Sequence, residues 1–151
     1  MFELVFLAIT CFILFIASKH DYKTKTVELY TPFLLLLCSI LYMIYSGNNI
    51  MDTIGVVILT AFIFALPSLF TFGLGDFLIF FSLAFFIDTT EAFYLFLGIF
   101  LVMWVVWTIY IFNKNRVSKK QFWKVEYPLV PAITISFYVW IVYNLLFLKM
   151  A

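Results

Sequence analysis

The sequence predicts an all-α fold: a polytopic membrane helix bundle of about six transmembrane helices, forming a single domain over residues 1–151. Three observations predict it. The chain is 66% hydrophobic with a mean hydropathy of +1.15. Only 11% of its residues are charged, against roughly 25% in an ordinary soluble domain. Its apolar stretches are divided by short polar ones, and the basic residues gather in two of those.

The spans fall at about 2–18, 32–46, 54–72, 76–88, 92–112 and 128–148. The first opens on Met1-Phe2-Glu3 without the basic start or small-residue cleavage site of a signal peptide, so residues 4–18 are expected to be retained as a helix. The second begins at Pro32. The third and fourth are separated by Thr71-Phe72-Gly73-Leu74-Gly75-Asp76 and could pack as a tight pair around the two glycines. The fourth is the shortest; a bilayer crossing needs ~20 residues, and extension through Thr90 would lengthen it. The fifth, 92–112, is apolar almost throughout. The sixth follows Tyr127-Pro128-Leu129-Val130-Pro131.

Charge sets the expected orientation. Lys19, Lys23 and Lys25 lie after the first span, and Lys114, Arg116, Lys119, Lys120 and Lys124 after the fifth. Six spans put these two segments on one side, which the bias of Lys and Arg makes cytoplasmic. Both termini then face outward, and Glu3, Asp52, Asp88 and Glu91 occupy the outer side. The expected location is the cytoplasmic membrane, with the lipid bilayer as surroundings.

Composition narrows the chemistry. Without a long basic run, nucleic acid is not an implied partner. Cys11 and Cys38 form no C-x-x-C pair, and the single histidine, His20, has no neighbouring ligand set, so neither a metal nor another cofactor is expected. No Gly-rich phosphate loop occurs. The 21 phenylalanines are expected to face lipid and neighbouring helices.

Two ionisable residues stand out because a carboxylate at a bilayer boundary is costly to desolvate. Asp21 lies in the first basic segment, read as a loop. Asp76 ends Gly73-Leu74-Gly75-Asp76 and opens a helix. The span count places both at the cytoplasmic face. Two carboxyls sharing one proton are the machinery of an aspartic protease: the ionised member takes a proton from water, and the protonated one hydrogen-bonds the scissile carbonyl. Glycine permits positive φ and close approach of another segment, which suits Gly73 and Gly75 as the place where an extended substrate lies. The dipole of the following helix favours an ionised Asp76 and burial a neutral one; sequence leaves that contest open.

The stretch Ala17-Ser18-Lys19-His20-Asp21-Tyr22-Lys23-Thr24-Lys25-Thr26-Val27, the later Gly73-Leu74-Gly75-Asp76 and the Pro128/Pro131 helix start come in an order that resembles the type IV prepilin peptidase family, with its archaeal preflagellin and prepilin members. The resemblance implies a membrane aspartic endopeptidase with Asp21 and Asp76 as its catalytic pair. Its substrates would be pilin-like or archaellin-like precursors, whose short basic leaders it would remove at the cytoplasmic face. Leu78 stands where many members carry Lys two residues after the motif Asp, and Val27-Glu28 stand where a proline is usual. The four-cysteine element of the bifunctional bacterial members is not matched, which implies peptidase activity without methyl transfer. Glu28 and Glu126, on the same expected face, are candidates to receive the leader's basic residues. Two alternatives remain. In a presenilin-like intramembrane aspartyl protease, Pro131-Ala132-Ile133 would approximate a Pro-Ala-Leu element. The other is a non-enzymatic membrane scaffold.

Overall fold

In the computed structural model, which describes residues 2–28, 30–47, 49–70, 73–87, 89–115 and 128–148, every regular element is helical and no strand occurs among the described residues. In chain order they are α1 (Phe2–Thr24), α2 (Tyr30–Ser46), α3 (Ile50–Phe70), α4 (Leu74–Ala84), α5 (Thr90–Asn115) and α6 (Val130–Tyr143), and a π-helical turn (Asn144–Leu148) continues α6. The loop carrying Arg116, Lys119, Lys120, Lys124 and Glu126 lies outside the described residues, as does Asp88.

Apolar length alone qualifies two helices to cross a bilayer, Leu4–Thr24 and Thr90–Lys114; the other apolar stretches, Tyr30–Ser46, Ile50–Ile63, Leu74–Ala84 and Val130–Leu146, are shorter. The helical fold class is therefore observed, whereas six full-length spans are not.

One boundary changes the position of a candidate residue. Asp21 is not in a loop: α1 continues six residues beyond the expected end at Ser18, through Thr24. Hydropathy stops at Ser18, but Lys and other straight-chain polar residues sustain a helix well. The helix ends at Lys25, whose φ of 57° is left-handed and whose N–H bonds the Asp21 carbonyl at 2.7 Å. α4 also ends earlier than expected, at Ala84, where Phe86 and Ile87 turn back onto the carbonyls of Leu83 and Ala84 at 3.0 and 3.1 Å.

The helices contact one another in cyclic order: α5 packs on α6, α6 on α1, α1 on α2, α2 on α4, α4 on α3, and α3 again on α5. Phenylalanine fills the interior. Phe80 of α4 meets Phe100 of α5 edge-on at 4.5 Å between ring centres. Phe137 of α6 lies 5.5 Å from Phe86 and 6.4 Å from Phe96, spacings at which aromatic rings attract beyond their buried area.

Polar bonds fix the α1–α6 register. Tyr138 donates to the Cys11 carbonyl at 2.7 Å, and Thr134 to the Leu14 carbonyl at 3.3 Å. The Val130 N–H reaches Asp21 at 3.1 Å. Partners advance along α1 as they retreat along α6, so the two helices are antiparallel. This brings the end of α1, the start of α6 and, through a bond from Lys114 to the Tyr22 hydroxyl, the end of α5 to one end of the bundle.

Candidate active site

Asp21 occupies the last turns of α1 and is 3% exposed. The first N–H groups of any helix lack partners within it, and α6 aims two of these at Asp21. Val130 N–H donates to Oδ2 at 3.1 Å, and the Leu129 N–H also bonds the carboxylate. Proline at the start of α6 suits this end, because its fixed φ matches the first turn and its missing N–H would have been unpaired. Burial pushes the Asp21 carboxyl above the usual range, while the Val130 N–H, the charge of His20 and the Leu129 N–H pull it back.

Asp76 stands in the first turn of α4, ahead of its apolar run. Oδ2 accepts the backbone N–H of Gly73 at 3.2 Å, the back-reaching half of a capping box. Oδ1 is buried and has no hydrogen-bond partner among the described residues. Burial, then the negative charge of Asp21, push this carboxyl up to about 7 against the opposing pull of the Gly73 N–H. The contest between helix terminus and burial resolves in favour of burial.

The charge of Asp21 therefore acts on the Asp76 carboxyl at this end of the bundle. The two carboxyls differ in support: Asp21 has two backbone donors and a nearby imidazole, and Asp76 has one donor. Charge is better solvated at Asp21, so a proton held between them resides on Asp76. With Oδ2 facing the Gly73 N–H, that proton belongs on Oδ1, which makes Oδ1 a buried donor without an acceptor.

Close packing brings the segments together. A Cβ on Gly75 would lie 2.6 Å from Cβ of Val27 and 3.2 Å from each of its methyl carbons, so the α1–α2 connection rests on α4 at the one place where a side chain is absent. The role expected of the glycines changes accordingly. Gly73 has φ −69°, open to any residue, and the indispensable property of Gly75 is its lack of a Cβ.

Of the remaining sequence candidates, Glu28 pairs with His20, Oε1 to Nε2 at 3.1 Å, with both side chains more than a third exposed. Glu126 is outside the described residues. Among the described residues no three of His, Cys, Asp and Glu converge as a metal-ligand group. Sequence reasoning missed Val27 and the Leu129 and Val130 amides. The Pro128/Pro131 helix start was the available signal for the amides, since it marks where unpaired N–H groups must occur; nothing local marks Val27.

Comparison with models of protein families, with curated proteins and with solved structures finds no match to this chain.

Proposed function

We propose that this protein is a membrane-embedded aspartic endopeptidase that removes short basic leaders from pilin-like or archaellin-like precursors at the cytoplasmic face of the cell membrane. The observation that carries the reading is the unequal carboxyl pair: Asp21, held by the α6 amides, acts electrostatically on an Asp76 pushed up to about 7. The ionised Asp21 takes a proton from water, and the resulting hydroxide attacks the scissile carbonyl carbon. The Asp76 Oδ1–H hydrogen-bonds the carbonyl oxygen and stabilises its developing charge. Collapse of the tetrahedral intermediate breaks the C–N bond, with the proton on Asp21 passing to the leaving amine.

The outer surface supports membrane embedding. Phe12, Phe33, Met51 and Phe62 are each more than 60% exposed, and the most apolar stretches of the two long helices are only 22% and 17% buried. Exposed large apolar side chains recur along α1, α2, α3 and α5, and extended apolar surface of this kind marks contact with a membrane or another protein. The first expected span ends at residue 18, before Asp21, and the fourth begins at Asp76, so both carboxyls fall at the ends of apolar segments, at the boundary where a leader peptide would emerge. Both termini then lie outside.

The test is cleavage of a panel of pilin-like and archaellin-like precursors in membranes carrying the unmutated chain, Asp21→Asn or Asp76→Asn. Each substitution is expected to reduce cleavage by about 10²–10⁴-fold, the usual contribution of a positioned acid or base, with expression unchanged. Cleavage that survives either substitution removes the pair from the mechanism. A chain that processes no precursor while membrane insertion proceeds normally fits the scaffold alternative.

A further inference from the structure

His20 precedes Asp21, and its ring faces oxygen on both sides. Nε2 lies 3.1 Å from Glu28 Oε1, and Nδ1 lies 3.2 Å from the Thr26 carbonyl oxygen. The Thr24 hydroxyl is 3.1 Å from Nδ1, 3.0 Å from the His20 carbonyl oxygen and 3.4 Å from the Thr26 carbonyl oxygen, and it accepts from Thr26 Oγ1 at 3.0 Å. The ring therefore bridges Glu28 on one side and the Thr24–Thr26 turn on the other.

These bonds span the chain reversal between α1 and α2. They tie the last turns of α1 to Thr26 and Glu28, the residues on either side of Val27, and Val27 is the residue fitted against Gly75. The charged or titratable groups facing the ring are Glu28, which also bonds Tyr30, and Asp21, whose ionised form the His20 charge favours. One side chain thus holds the loop and biases the carboxyl beside it.

We propose that His20 is the positioning residue of the carboxyl pair: its ring clasps the loop that seats Val27 on Gly75, beside Asp21. The proposal rests on the reading of Asp21 and Asp76 as the working pair.

His20→Gln in the full chain in detergent micelles is expected to speed amide exchange at residues 24–28, leave α6 protected, and move the Asp21 carboxyl titration, followed by its ¹³C signal, to higher pH. Glu28→Gln, which weakens only the Nε2 side, is expected to speed the same exchange less. His20→Lys supplies a positive charge without the two-sided clasp. It is expected to bring the Asp21 titration back toward its original position while exchange stays fast. A His20→Gln protein with unchanged exchange and unchanged Asp21 titration overturns the proposal. None of these readouts uses a substrate. A protein that cuts no precursor counts against the peptidase reading, and the exchange and carboxyl signals still decide the role of His20.

Discussion

At the scale of single residues, the two aspartates are chemically unlike because their backbone surroundings differ. Asp21 receives the free amides of another helix; Asp76 receives one amide from its own N-cap and leaves Oδ1 bare. On the proposed peptidase reading, a proton lost from Asp76 above about 7 removes the donor to the substrate carbonyl, so cleavage by the unmutated protein is expected to fall as pH rises through that value. A pH–rate profile that stays flat to pH 9 would show that the reaction does not use this proton. Stability follows with its own sign. A carboxyl raised in the folded state binds a proton more tightly there than in the unfolded chain, so its contribution is complete below the unfolded pKa and is lost as pH rises through about 7. Asp76→Asn is therefore expected to melt at a higher temperature than the unmutated protein at pH 8, with the difference shrinking toward pH 5. Thermal denaturation in detergent at the two pH values measures it.

At the scale of elements, the contact between the α1–α2 connection and α4 is the joint on which the site depends. Gly75→Ala places a methyl 2.6 Å from Val27 Cβ, an overlap that neither backbone can absorb without moving. Overpacking of this kind costs about 1–3 kcal/mol, and the displacement separates Asp21 from Asp76. Cleavage is expected to fall at least tenfold in Gly75→Ala and to recover substantially when Val27→Gly is added; Val27→Ala is expected to rescue poorly, because it retains the obstructing Cβ. Precursor cleavage by Gly75→Ala and by the two doubles decides this. The Gly-x-Gly-Asp element was conspicuous in the sequence, but the reason for its second glycine was not. That reason is a residue 48 positions earlier, and no local pattern encodes so distant a contact. The same limit explains the misplaced end of α1. Hydropathy marks where apolar character stops, whereas hydrogen bonding continues through Lys19, His20 and Asp21 until the left-handed Lys25 breaks it.

At the scale of the whole molecule, the gathering of the candidate site at one end of the bundle was legible from charge. Asp21 meets the start of α6, its charge acts on Asp76, and Lys114 bonds the neighbouring Tyr22; the separation of Lys and Arg from the acidic segments already implied that these positions share an end. Span lengths were less legible, because apolar runs do not reveal where a helix yields to a buried turn. On the membrane reading, Lys23→Cys and Asn49→Cys lie on opposite sides. An impermeant thiol reagent added outside intact cells, with Cys11 and Cys38 replaced by Ser, is expected to label Asn49→Cys and leave Lys23→Cys unmodified until the membrane is opened. Labelling of both positions from outside would remove the cytoplasmic placement of the site.

The brevity of α4 has a mechanical consequence. Eleven residues make a helix about 16 Å long, half of the ~30 Å hydrocarbon thickness, so on the membrane reading the turn that ends it lies deep below the surface. Irregular backbone survives at such depth only where protein surrounds it; Phe86 and Ile87 are almost wholly enclosed, and their N–H groups are bonded. α4 is thus anchored at its buried foot and fitted to Val27 at its head. It behaves as a strut of fixed length, and the height of Asp76 relative to the membrane surface is set by where that foot stands. On the proposed peptidase reading, a substrate must bring its scissile bond to this level, which makes the spacing between a leader's cleavage point and its first membrane-embedded residue a quantity measured by the protein's own frame.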